Sequence, residues 1–160
     1  MKGIFRQSAA LVLCVGVCFA AAAVGARFTS PNVPGWYANL AKPSWTPPSW
    51  VFGPVWSVLY LLMAISAWQV WRRTGLRTAM VPLALFGIQL VLNVAWSGLF
   101  FGLRRPGAAL IEIVLLWVAI LATMIAFRQR SALAGWLMLP YLAWVSFAVA
   151  LNLAIWNLNR

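Results

Sequence analysis

The sequence contains no histidine, a single acidic residue (Glu112) and two cysteines in 160 residues. Each shortage closes off a kind of chemistry. Without His, and with one carboxylate, the chain cannot assemble a multi-ligand metal site. Paired carboxylates, a Ser-His-Asp triad and a Cys-His pair are excluded by the same inventory. A proton-coupled transporter usually relies on acids or His within the membrane, and only Glu112 is available. Cys14 and Cys18 stand one helical turn apart inside an apolar run, and they read as small packing residues rather than a redox pair. Charge of either sign is scarce, at 8% of residues, too little to cover the surface of a soluble domain.

Apolar residues fill the space left, at 64% of the chain. Four apolar runs reach the length of about 20 residues that crosses a bilayer, and a fifth comes close. The predicted fold is therefore all-α and integral to the membrane, a five-transmembrane-helix bundle forming one domain over residues 1–160. The expected spans are 8–26, 47–71, 79–103, 107–127 and 132–156, with a lid loop at 27–46. No inverted internal repeat of the transporter kind is visible. A basic start and Val24-Gly25-Ala26 also fit a cleavable signal peptide, but the first run is long for a signal core, which favours a retained span.

Twelve Lys or Arg residues lie at the ends of these runs, where lipid phosphates meet them, so the partner they imply is the bilayer and not nucleic acid. Lys2, Arg6, Arg72, Arg73, Arg77, Arg128 and Arg130 fall on the N-terminal side. Arg27, Lys42, Arg104, Arg105 and Arg160 fall on the other. That excess places the N-terminus in the cytoplasm and the long loop outside.

The loop from Arg27 to Trp50 carries Trp36, Tyr37, Trp45 and Trp50, and this ring content favours an ordered lid over a disordered linker. Gly35 to Ala41 fits a short interfacial helix with Trp36 and Tyr37 at headgroup level. Thr46-Pro47 reads as an N-cap followed by proline at the first helical position. Pro54 is expected to bend the second span near Trp50.

Within the third span Gln89, Asn93 and Ser97 recur every four residues beside Trp96, a polar stripe suited to interhelical hydrogen bonds, to ligand contact, or to both. Trp56 and Tyr60 share one face of the second span, and Tyr141 and Trp144 one face of the fifth. Trp71, Trp136 and Trp156 suit an interfacial belt, whereas Trp56, Trp96 and Trp144 lie several residues deeper. Rings at that depth suit a flat or rigid apolar ligand. Glu112, just over a turn into the fourth span, is expected to pair with Arg104 or Arg105 near the interface. Gly98 and Gly102 form a small-xxx-small pair, a candidate helix-contact or dimer face.

The run Trp36-Tyr37-Ala38-Asn39-Leu40-Ala41-Lys42-Pro43-Ser44-Trp45-Thr46-Pro47-Pro48, followed by Trp56, resembles the signature loop of the translocator protein family (TspO/MBR, the peripheral benzodiazepine receptors). The resemblance continues through Asn93-Val94-Ala95-Trp96-Ser97, Phe100-Phe101, Pro140-Tyr141-Leu142-Ala143-Trp144 and Leu151-Asn152, and covers essentially the whole chain. It implies a five-helix bundle, often a homodimer, with a cavity beneath the first long loop. It also implies ligands of the tetrapyrrole class (protoporphyrin IX or haem), with sterols and benzodiazepine-type molecules as further candidates, and no required cofactor. By motif position Tyr37, Pro47 and Pro48 belong to the loop side of that pocket, and Trp56, Asn93, Trp96, Ser97 and Trp144 to its walls; Tyr60, Tyr141 and Ala148 complete the expected ligand-binding set.

Some bacterial relatives degrade porphyrin in light, which would give Trp56 and Trp144 a catalytic role; a passive small-molecule transporter is the remaining alternative. The bacterial cell membrane is the expected location, with the outer membrane, where some relatives reside, as the alternative. One departure stands out: the family's sterol-recognition stretch expects Tyr where this chain has Leu153, which weakens the case for sterol at that site.

Overall fold

The computed structural model describes residues 2–160, with side chains from Ile4 onward, so the expected place of the Lys2 side chain in the basic flank lies outside the described residues. The described residues form helices and short connections: α1 (Lys2–Thr29), a π-helical turn (Val33–Tyr37), α2 (Ser49–Ser97), a second π-helical turn (Gly98–Gly102), α3 (Pro106–Arg130) and α4 (Ala132–Leu158). Four helical stretches are long and apolar enough to cross a membrane, namely Ile4–Thr29, Ser49–Gly102, Pro106–Arg130 and Ala132–Leu158.

The second stretch is exceptional, since 54 residues of straight helix would measure about 80 Å. It is not straight. Gly75 has φ 71° and ψ 169° inside α2, a conformation that glycine reaches without steric cost. The Tyr60 hydroxyl lies 2.5 Å from the Asn93 side-chain oxygen, although 33 residues of helix would hold them about 50 Å apart. The helix therefore folds back at Gly75 into two antiparallel limbs, 49–74 and 76–97, so the bundle has five helical segments. The backbone stays helical through Pro54, the residue at which a bend was expected. Only the second turn of the helix loses a donor there, and the neighbouring bonds carry it.

The core runs along the first limb of α2 (Met63, Ala64, Ala67, Val70), α3 (Ile113, Leu116, Ile120) and α4 (Met138, Tyr141, Val145), each set at three- and four-residue spacing. With lipid outside, close packing rather than water exclusion holds such faces together. α1 is the peripheral helix, with 11% of its apolar window buried against 33–39% in the others. Its contribution to the core is Cys18, fully buried with a free thiol, which fits a packing role.

Several local expectations change. α2 starts at Ser49 with Pro48 at the cap position, so Thr46 caps no helix; its hydroxyl instead donates to the Pro43 carbonyl at 2.8 Å within a turn. The expected interfacial helix over 35–41 is a single π turn, Val33–Tyr37, with Tyr37 buried against the bundle. Glu112 forms no ion pair among the described residues: it is 8% exposed, and neither carboxylate oxygen has a hydrogen-bond partner. It shares the inward face of α3 with Ala109, Ile113 and Leu116, while Arg104, at φ 55°, directs its guanidinium to the Asn32 side-chain oxygen at 3.0 and 3.3 Å. The Gly98/Gly102 face is occupied within the chain, because a Cβ at Gly102 would meet the Phe28 ring of α1 at 3.0 Å. Within the chain these glycines admit the Phe28 ring of α1.

Candidate functional site: a ring-lined cavity under the lid

A cavity of about 580 Å³ opens beneath the 30–48 connection, lined by α1, both limbs of α2, the second π turn and α4. The π turn at 98–102 shapes its upper wall. Adjacent residues of an α-helix diverge around the axis, but the wider π turn, closed by the Leu103 N–H on the Gly98 carbonyl at 2.7 Å, turns both Phe100 and Phe101 inward. Trp96 stacks on Phe100 at 5.3 Å and meets Phe101 edge-on at 5.9 Å. From the lid, Trp36 packs on Phe100 at 5.6 Å and Tyr37 on Phe101 at 5.6 Å, so the two π turns are joined through their rings. Trp144 forms a second group with Phe52 (6.0 Å) and Phe147 (5.6 Å), and Trp56 a third with Tyr60 (5.6 Å) and Tyr141 (6.1 Å).

Two asparagines hold these rings in register. Asn93 accepts from the Tyr60 hydroxyl at 2.5 Å and donates to the Tyr141 hydroxyl oxygen at 3.0 Å, tying both limbs of α2 to α4 at the cavity floor. Asn152 accepts from the Trp96 indole N–H at 3.1 Å and donates to the Pro106 carbonyl at 2.8 Å, fixing the Trp96 plane against the start of α3.

The lid is fastened by three polar clasps. The Lys42 ammonium donates to the carbonyls of Tyr37, Leu40 and Ala38 at 2.7, 2.9 and 3.0 Å and lies over the Tyr37 ring at 5.0 Å. The Asn159 amide bridges both backbone groups of Ala41, accepting from its N–H at 3.0 Å and donating to its carbonyl at 2.8 Å. Arg104 on Asn32 is the third. Burial raises the Tyr37 phenol above its ordinary value, so that ring stays neutral under the lid.

The cavity is open at the side. Its most exposed lining residues toward the middle of the bundle, Phe19, Ala26, Gly53 and Ser57, belong to α1 and the first limb of α2. These helices touch lower down, where the Trp68 indole donates to the Gln7 carbonyl and Phe19 meets Tyr60 at 6.4 Å. Continuing that register brings Ala26 level with Gly53, and side chains so small leave a gap between the helices.

Among the residues singled out from sequence, Tyr37, Trp56, Tyr60, Asn93, Trp96, Ser97, Trp144 and Ala148 line the cavity together. Tyr141 stands behind the wall, fully buried, and reaches the cavity through Asn93. Pro47 and Pro48 stay outside the lining, where Val33, Pro34 and Ser49 supply the loop side. The polar stripe divides: Asn93 and Ser97 face the cavity, whereas Gln89 is buried below it with only the Met63 sulfur, 3.9 Å away, as partner. Sequence reasoning missed Phe52, Phe100, Phe147 and Asn152 as wall residues. Phe52 and Phe100 were within reach, each one helical turn from a tryptophan already on the inner face. Leu153 is 43% exposed and lies off the cavity, so its departure from the expected tyrosine leaves the pocket untouched.

An all-helical bundle with apolar helices of membrane-crossing length, built around a largely apolar cavity, is an integral membrane protein with room for a small molecule. Residues 14–157 match the TspO/MBR family model, and the chain belongs to that family. It is similar to the tryptophan-rich protein TspO of Chlorobaculum tepidum, 44% identical over 96% of this chain and 98% of the relative. The translocator protein of Homo sapiens is 47% identical over 86% of this chain and 82% of its own. The tryptophan-rich sensory protein of Cereibacter sphaeroides is 39% identical over 91% and 88%.

Proposed function

We propose that this protein is a membrane receptor or carrier that binds a tetrapyrrole, protoporphyrin IX or haem, in the ring-lined cavity and thereby regulates its level or transport. The observation that carries the reading is the cavity itself: about 580 Å³, inside the range of about 300–1,000 Å³ for small-molecule pockets. Its walls carry tryptophan, tyrosine and phenylalanine rings among small, aliphatic and uncharged polar residues, with no acidic or basic side chain. Such walls favour a flat, extended π-system through stacking and dispersion, and sterol-like or benzodiazepine-type molecules fit the same chemistry less fully. The relatives' names speak of sensing and translocation, in keeping with a binding role.

Titrating the purified protein with protoporphyrin IX is expected to quench tryptophan emission saturably. Trp96→Ala and Trp144→Ala each weaken binding, by up to a few kcal/mol as large buried anchors do. Quenching no greater than in detergent alone would overturn the reading.

A second reading rests on the contiguity of Trp56 with Tyr60 and Tyr141 and on Trp144 across the cavity. Under light, dioxygen would oxidise a bound porphyrin, taking up the electrons, with these rings holding the porphyrin and relaying charge. Absorbance followed in light and in darkness separates the two readings. Decay that persists unchanged in Trp56→Phe and Trp144→Phe proteins removes the catalytic role.

The same proposal places five crossings in a bacterial cell membrane, the two limbs of α2 counting as two spans of a bilayer core about 30 Å thick. The N-terminus and the Gly75 turn lie on the cytoplasmic side and the lid outside. A homodimer through the Gly98/Gly102 face would set Gly102 and the Phe28 ring beside it, both exposed, against the partner.

A further inference from the structure

At the end of the bundle opposite the lid, the start of α1 and the Gly75 turn enclose a cleft of about 230 Å³ lined by Arg6, Gln7, Trp71, Arg72 and Gly75. The two guanidinium groups come from different helices and converge on it. Each is steadied by an indole: Arg6 lies over Trp71 at 5.6 Å, and Arg72 over Trp68 at 5.0 Å. Trp68 is itself fixed by its N–H on the Gln7 carbonyl at 3.1 Å, which joins α1 to the first limb of α2 beside the cleft. Stacking leaves the forked N–H edges of arginine free to bind an anion with two oxygens.

The chain has nothing to neutralise them. Its one acid, Glu112, is buried on α3, a helix that begins at the lid end. Among the described residues neither guanidinium has a hydrogen-bond partner. Two cations from different helices, each stacked on an indole and lining one cleft without a counterion among the described residues, make a favourable place for an anion. Gly75 opens the second limb of α2, and the positive end of that helix adds to the same field.

We propose that this cleft is a binding site for the phosphate of an anionic membrane lipid, distinct from the ring-lined cavity and independent of what that cavity holds. Phosphate esters of lipids and free phosphate share the recognised chemistry. The lipid is the source to which the position points, because Trp68 and Trp71 stand beside the cleft where the apolar spans end, the depth at which indole rings mark the headgroup region.

The test is native mass spectrometry of the whole protein released from phosphatidylcholine nanodiscs with and without phosphatidylglycerol. The expected result is one retained phosphatidylglycerol on the unaltered protein and none from phosphatidylcholine. Replacing Arg6→Gln with Arg72→Gln lowers retention by about tenfold or more, and Arg6→Lys with Arg72→Lys keeps part of it through charge alone. Arg73→Gln with Arg130→Gln, two further cations of the same end, is the control and keeps retention intact. Equal loss in that control pair would overturn the proposal in favour of summed surface charge. Equal retention of phosphatidylcholine would overturn the anion requirement. Occupancy by inorganic phosphate with no preference for the lipid would overturn the lipid assignment. Circular dichroism and elution volume establish that each variant is folded, and the lysine pair keeps the question decidable should the glutamine pair unfold.

Discussion

Asn93 shows how much a single amide does in this interior. Its oxygen and its nitrogen each serve a different phenol, one from the first limb of α2 and one from α4. Truncating it leaves two buried hydroxyls without their partner, and each stranded group costs about 1–3 kcal/mol. Asn93→Ala is therefore expected to destabilise the bundle by more than Tyr60→Phe, which strands only the Asn93 oxygen. Equilibrium unfolding in mixed detergent checks the order; equal losses would mean that the bridge adds nothing to its two halves.

At this scale much was legible beforehand. Asn93, Trp56, Trp96 and Trp144 declared themselves by being polar or ring-bearing too far inside a span for an interfacial role. Phe101 did not, because the π turn at 98–102 that brings it inward beside Phe100 is announced by no 3.6-residue pattern. The pairing expected for Glu112 failed for a related reason. Spacing brought Arg104 close to Glu112 along the chain, but the left-handed backbone at Arg104 sends that side chain to the lid.

Among the elements, the lid is the one whose order depends on a few polar contacts at its edges. Lys42 closes three carbonyls around one ammonium, and Asn159 imitates a strand partner for Ala41. Lys42→Met and Asn159→Ala are expected to raise hydrogen exchange across residues 33–46 while leaving α3 and α4 protected. With ligand bound, the same changes speed release more than they slow capture, since they loosen the closed state. Exchange that rises equally throughout the bundle would instead mark a general loss of packing.

The lid's order could be anticipated from its rings, whereas its details could not. Thr46-Pro47 has the composition of a helix start, yet Pro48 follows, and α2 begins only at Ser49. The Gly98/Gly102 pair was correctly a contact face, but sequence cannot tell which helix fills it, and Phe28 of the same chain does.

For the whole molecule, five helical segments were readable from run length alone, as was the gathering of basic residues at span ends. The reversal between spans ending at 71 and starting at 79 was readable too, and Gly75 at φ 71° makes it; the packing of the segments was not, because it depends on contacts between residues some 30 positions apart. The resulting topology is testable in cells. Cysteines introduced at Asn39 and Thr74 should label from opposite sides of the membrane with an impermeant thiol reagent, Asn39 from outside. Labelling of both from one side would break the five-crossing arrangement. The native Cys18 is buried and Cys14 half-buried within α1, so neither should obscure the result.

In the proposed five-crossing arrangement, the gap between α1 and the first limb of α2, framed by Ala26, Gly53 and Ser57, would face acyl chains rather than water. A solute that reaches the rings through that side arrives already dissolved in the bilayer, and its effective concentration is its mole ratio to lipid. Such a protein gauges how enriched its membrane has become, and the amount in the surrounding water matters only through partition. Two cells with equal totals but different membrane areas would then set the same pocket to different occupancies.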